Sequence, residues 1–270
     1  MQIIGEKING TRKRVGQAIV DRDENHIQNL AHRQAQAGST WLDVNAGTHP
    51  DREPDDLVWL VETVQAVVDT PLSLDSTNPQ ALTAALKAVN KTPMINSISG
   101  EAQRLTGILP LVAEHGCPVI ALAMDDKGIP ESSAGRLEVI HQVIAATRVA
   151  GVPDASVYVD ALALALSTNA QSAVIFCDTV REVRVAYPDV HFTVGLSNIS
   201  YGLPARSYVN RAFLTLAMAA GLDCAILDPL DQELRATLLA AELALGRDEY
   251  CLRYVRAYRA GVFGESNQQG

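Results

Sequence analysis

Glu6, Asp43, Asn45, Asp75, Asn96, Asp160 and Asn198 share one kind of position: each stands at or just past the downstream end of a short apolar run. Asn9 and Asp228 do the same. An Asp or Asn there is ordinarily a helix cap or a turn former, so no one of them carries an argument. Their recurrence at the ends of seven of eight such runs, with lysine and arginine expected to stay away, points to a shared polar ring. Carboxylates and amides in such number suit a neutral heterocycle that presents several N–H donors. A carboxylate takes two parallel hydrogen bonds from a guanidine-like edge, which sets orientation as well as strength. The 2-amino-4-oxopyrimidine head of a pterin has that edge.

The stretch FTVGLSNISYGLPARS, residues 192–207, is where this chemistry converges. Phe192 to Leu196 is expected as a strand that turns polar at Ser197 and Asn198, then breaks at Gly202 and Pro204 before the next helix. Side chains two apart on a strand share a face, so Asp43 goes with Asn45, Met94 with Asn96 and Tyr158 with Asp160. Asn198 is read as the side chain aimed at the reacting atom, with the others forming the pocket around it.

Placing these groups at one opening requires a repeated element. Short apolar runs alternate with longer segments whose apolar residues recur every three or four positions, the rhythm of βα repeats. Strands are expected over 2–6, 40–45, 71–75, 92–97, 118–124, 156–160, 191–197 and 224–228. Helices are expected over 23–37, 55–68, 78–89, 135–150 and 231–245, with an additional one at 248–260. Asn78-Pro79 reads as a cap followed by proline at the first helical position, and Gly38 and Gly221 as reversals at helix ends. The fold class is α/β: a single TIM (β/α)8 barrel over 1–262 with an extra C-terminal helix, then a flexible tail over 263–270. Such a barrel works at the carboxyl ends of its strands, where the polar ring lies.

Composition narrows the partners. A chain of 270 residues with 47% hydrophobic side chains suits one barrel with a full core. A net charge of −9 argues against nucleic acid or an anionic membrane as partner. Cys117, Cys177, Cys224 and Cys251 have no ligand spacing and are expected as reduced core residues. His26, His32, His49, His115 and His141 show no HExxH pattern, and no phosphate-cradling glycine loop occurs. They read as helix-surface or rim residues, with His49 placed to face the mouth. No metal is therefore expected. MQIIGEKING lacks the order of a signal peptide and no run reaches the length of a membrane span, so a cytoplasmic protein is expected.

IIGEKING (3–10), LDVNAG (42–47), LDSTN (74–78), MINSIS (94–99), GLSNIS (195–200) and NRAFLTLAMAAGLDCAILDP (210–229) keep their order along almost the whole chain. On these stretches the sequence resembles the folate-dependent methyltransferases that exchange a methyl group between methyltetrahydrofolate and a corrinoid protein. It is similar to the stand-alone pterin-binding barrels of that family, such as the corrinoid/iron-sulfur protein methyltransferase and the second methyltransferases of anaerobic demethylation systems. The resemblance implies that Asp75, Asn96 and Asp160 hold the pterin ring and that Asn198 lies beside the methyl-bearing ring nitrogen. Arg206 belongs to the implied folate-binding set, and Glu6, Asp43 and Asn45 join it from the polar ring. Two positions depart from a relative: Ala161 replaces a proline, and Tyr201 replaces a glutamine that touches folate.

The resemblance also implies tetrahydrofolate or methyltetrahydrofolate as substrate, a corrinoid (cobalamin) supplied by a partner protein, and a homodimer. The DxHxxG tether of a base-off corrinoid begins at Asp189-Val190-His191 but has Val194 where glycine is required. His191 is accordingly read as a core or strand-edge residue. The methyl group is bonded to a ring nitrogen that leaves poorly as an anion. Asparagine supplies no proton, but its amide stabilises charge as it develops. Two alternatives stay open. A dihydropteroate synthase-like enzyme would require a basic anchor near the seventh strand, where the next basic residue is Arg206. A non-catalytic folate-binding barrel would leave Asn198 without a purpose. The direction of transfer is open at this point.

Overall fold

The computed structural model describes residues 1–263, so from residue 264 onward the expected tail lies outside the described residues. Eight parallel strands form one sheet: β1 Gln2–Asn9, β2 Trp41–Asn45, β3 Leu72–Asp75, β4 Met94–Ser99, β5 Val119–Leu122, β6 Val157–Asp160, β7 His191–Thr193 and β8 Cys224–Leu227. Their order is β7-β6-β5-β4-β3-β2-β1-β8. The two ends meet just beyond β7, where Gly195 bridges Ile226 and the Ile226 N–H donates to the Val194 carbonyl at 2.9 Å. The sheet thus closes into the expected barrel.

The helices around it are α1 Lys13–Asp21, α2 Glu24–Gln36, α3 Glu53–Gln65, α4 Pro79–Ala88, α5 Ala102–Gly107, α6 Leu109–His115, α7 Ser133–Val149, α8 Ser172–Ala186, α9 Arg206–Ala220, α10 Gln232–Ala244 and α11 Leu252–Arg259. Local chemistry sets their ends. The Asn78 side chain accepts from the Gln80 N–H at 3.0 Å with Pro79 at the first helical position, a cap that contributes about 1 kcal/mol. Gly38 and Gly221 take φ of 93° and 128°, where a side chain would be strained.

Pleat parity divides each strand between two cores. Ile4, Met94, Ile120, Tyr158 and Cys224 fill the barrel interior, with Trp41, Leu122 and Ile226 against them. The alternate residues, such as Leu42, Val44, Leu74, Ile95, Val119 and Val159, face the helices in the larger outer core. One step of two residues downstream from Trp41, Met94 and Tyr158 brings Asp43, Asn96 and Asp160, which the same parity turns inward above the apolar plug.

Three expectations are corrected. β1 runs to Asn9 with a register shift between Gly5 and Ile8, so the strand is longer than the expected 2–6 and Asn9 ends it instead of lying past it. β7 stops at Thr193, and Leu196–Ser200 is a 3-10 turn. The Ser197-Asn198 pair there favours local backbone hydrogen bonds over a ladder, and the Asn198 N–H indeed donates to the Gly195 carbonyl. Cys117, Cys177 and Cys224 are buried, but Cys251 is exposed. Its φ of 59° falls at the kink between a 3-10 turn, Glu249–Cys251, and α11. Phe263, at the start of the expected tail, packs its ring 4.7 Å from that of Tyr254. Among the described residues no helix is long and apolar enough to cross a membrane.

Candidate active site

Asp43 and Asp75 anchor one side of the barrel mouth. Asp43 is buried, and its Oδ1 accepts from Ser73 Oγ at 2.8 Å and from Asn96 Nδ2 at 3.2 Å. Asp75 Oδ2 accepts from Asn45 Nδ2 at 2.8 Å. β3 and β4 place Asp75 directly beside Asn96 in register. Burial pushes the Asp43 carboxyl well above the usual range, and the nearby Asp75 charge pushes it further. Asp75 is also raised by burial, against the lowering effect of the Asn45 hydrogen bond and the Arg104 charge. The two carboxyls therefore resist being ionised together.

Asp160 stands on the opposite side, at the end of β6. Its Oδ1 accepts the Leu162 N–H at 2.7 Å, and the Gly195 N–H also donates to its carboxyl group. Burial outweighs these hydrogen bonds and the Arg136 charge, and moves its pKa up to about 6. Asn198 sits on the 3-10 turn, not on a strand, with its side chain exposed. The turn places it against Gly195, so Asp160 and Asn198 are joined through one glycine.

Arg206 braces this turn. Its Nε donates to Ser200 Oγ at 3.0 Å and its Nη2 to the Ser197 carbonyl at 2.6 Å. Tyr201 is exposed, its ring centroid 6.0 Å from the Arg206 guanidinium. Glu6 is held by Arg12 at 2.9 Å, and burial is the main cause of its raised pKa. The expectation of a rim free of cations is overturned: Lys7 Nζ lies 2.6 Å from Asp228, and Arg104 reaches Glu101 at 2.6 Å while acting on Asp75. The register shift in β1 is what spacing alone does not show. His49 is exposed beside Asp51. His191 lies near Asp223, with its Nδ1 3.0 Å away, and stacks on Tyr158. Among the described residues no cluster of three or more His, Cys, Asp or Glu could hold a metal ion.

The sequence signature of the family described as "Pterin binding enzyme" matches residues 5–228. The chain belongs to the pterin binding enzymes. As such it is 38% identical over 266 residues to the methylcorrinoid:tetrahydrofolate methyltransferase of Eubacterium limosum, covering 98% of each chain. It is 30% identical over 237 residues to the methionine synthase of Mycobacterium tuberculosis, covering 83% of this chain and 20% of that longer protein. Its fold is shared with dihydropteroate synthases: the Stenotrophomonas maltophilia structure superposes with a TM-score of 0.69 at 19% identity, covering 92% of this chain and 93% of the other. The Yersinia pestis structure gives 0.66 at 19%, covering 91% and 93%.

In this pterin binding enzyme the strand ends bring together two hydrogen-bonded pairs, Asp43 with Asn96 and Asn45 with Asp75, set side by side by the β3–β4 register, while Asp160 and Asn198 both adjoin Gly195. Arg206 and Tyr201 belong to the Asn198 turn. Glu6 joins neither pair by a direct hydrogen bond. Sequence reasoning missed Ser73, Lys7, Gly195 and Arg136. The Arg136 position does carry a signal: a cation in the first turn of α7, the end where the helix dipole disfavours it.

Proposed function

We propose that this protein is a methyltransferase working between tetrahydrofolate and the cobalt of a corrinoid carried by a separate protein, with methylcorrinoid as donor. The observation that carries the reading is the pairing of an inward-facing carboxylate ring with the exposed Asn198 amide, on a chain alike over 98% of its length to a protein named for that reaction. Asp75, Asn96 and Asp160 would receive the pterin edge. Asn198 would face the ring nitrogen that takes the methyl group.

In this direction the nitrogen lone pair bonds to the methyl carbon, the cobalt–carbon bond breaks, and its electron pair stays on the cobalt as cobalt(I). The nitrogen gives up its proton to water. The corrinoid supplies the reactive methyl group, so the chain's share is binding, orientation and electrostatics. The Asn198 carbonyl would accept the N–H before transfer and stabilise the positive charge that forms on nitrogen. The same reading makes the partner a corrinoid-binding protein and the enzyme a cytoplasmic homodimer.

The test mixes the protein with tetrahydrofolate and a methylated corrinoid protein, following the cobalt(I) absorbance and methyltetrahydrofolate together. Stoichiometric appearance of both is expected. Folate binding without either product would leave only a carrier barrel.

A further inference from the structure

Arg136 has no exposed surface, yet it lies in the first turn of α7, where the helix dipole repels a cation. Burying such a charge requires compensation. The chain supplies it in carbonyls: Nε donates to Pro130 at 3.0 Å, and Nη1 to Ala161 and Leu162 at 2.7 Å each. Among the described residues Nη2 is buried without a hydrogen-bond partner. The two carbonyls on Nη1 belong to the segment leaving β6, and Leu162 holds a left-handed φ of 62°. That same Leu162 gives its N–H to Asp160.

We propose that Arg136 is a positioning residue for the site: its guanidinium pins the backbone after β6 in the shape that clamps Asp160. The inference rests on Asp160 serving the folate head. Without the fork, residues 161 and 162 lose two acceptor contacts, and nothing in the local sequence favours φ > 0 at a leucine. Without the charge, the one cation among the described residues acting on Asp160 is gone, since burial and the N–H groups of Leu162 and Gly195 are the other influences. Leu122 and Thr193, its partners across the adjoining strands, are uncharged. Arg136 touches no substrate in this scheme. It acts through Asp160.

The experiment compares the whole protein with Arg136→Met and Arg136→Lys, measuring first, without ligand, the Asp160 titration by carboxyl carbon NMR and the Leu162 amide exchange rate. Arg136→Met is expected to move the Asp160 midpoint above its position near 6. It should also speed Leu162 exchange at least about tenfold. Arg136→Lys keeps the charge and loses the fork, so its Asp160 midpoint should stay near that of the wild type while Leu162 exchange still rises. If Arg136→Met does not fold, the lysine variant decides. Unchanged Leu162 exchange in a folded variant overturns the proposal. Tetrahydrofolate titration across pH follows, with tightest binding by Arg136→Met expected at higher pH than by the wild type. A wild type that binds no tetrahydrofolate would end the functional reading and leave the ligand-free result standing.

Discussion

Gly195 lies directly against Asn198: a Cβ built on Gly195 would stand 2.9 Å from the Asn198 amide nitrogen. The glycine is not needed for its backbone, whose φ of −70° and ψ of 90° an alanine adopts. Its missing side chain is what leaves room for the amide. In Gly195→Ala the end of the Asn198 side chain must turn away, which is cheap in stability. The unfolding free energy should change by less than about 1 kcal/mol. Methyl transfer should fall roughly 10- to 100-fold through misplacement of one group. Denaturant melts and single-turnover kinetics on the same preparation check both. Wild-type transfer by this variant would remove Asn198 from the reaction.

Asn198→Ala separates binding from chemistry. The side chain is exposed, so its loss should leave stability within about 0.5 kcal/mol. The transfer rate should drop about 10²- to 10³-fold, as when one preorganised polar group is lost from a developing charge. On the proposed reading, in which the carboxylate ring holds the pterin head, tetrahydrofolate affinity should change far less. Parallel losses in calorimetric affinity and rate would assign Asn198 to uniform binding.

The barrel and most of its polar ring were legible because both depend on parity. A residue two positions beyond Trp41, Met94 or Tyr158 must face the same way, and the helices between the strands announce themselves by their period. Asn198 was legible as a residue but not in its setting. The run Phe192 to Leu196 carries only the hydroxyl of Thr193 among its side chains, as a buried strand can, and the scarcity of ladder partners beyond Thr193 ends it early. Lys7 was hidden by a register shift, which has no local signature in IIGEKING. Arg136 is marked in the sequence only as a cation near the start of α7, where the dipole disfavours it. Where it points depends on how α7 is rotated against the segment after β6, a fact of packing.

Asn45→Leu tests how the ring favours the carboxylate form of Asp75. The Asn45 amide hydrogen bond lowers an Asp75 pKa that burial raises. Removing the donor leaves burial less opposed, so the folded-state pKa rises further and the carboxylate form is lost at a higher pH. Tetrahydrofolate affinity should therefore fall more at pH 6 than at pH 8, by about 1.5 kcal/mol or roughly tenfold at the lower pH. Calorimetric titrations at both values check this. An equal loss at each pH would mean that Asn45 acts by contact or packing and not through the charge on Asp75.

Asp160→Asn should make the unliganded protein more stable while abolishing its use of folate. The folded-state pKa of about 6 lies above the unfolded value, which is about 3.9. Between those values the folded chain binds the proton more tightly, so stability is greatest below the window and falls as pH rises through it, levelling off above the folded pKa. The neutral amide escapes that loss, offset in part because the buried Arg136 loses the charge of that carboxylate. A gain of about 1–3 kcal/mol at pH 7.5 is expected, with a flatter slope than the wild type between about pH 4 and 6. Urea melts at pH 5 and 7.5 measure it. A variant less stable than the wild type at pH 7.5 would show that ionised Asp160 holds the fold together, whereas a stabilised variant that no longer binds tetrahydrofolate would show a charge kept in an unfavourable place for its ligand.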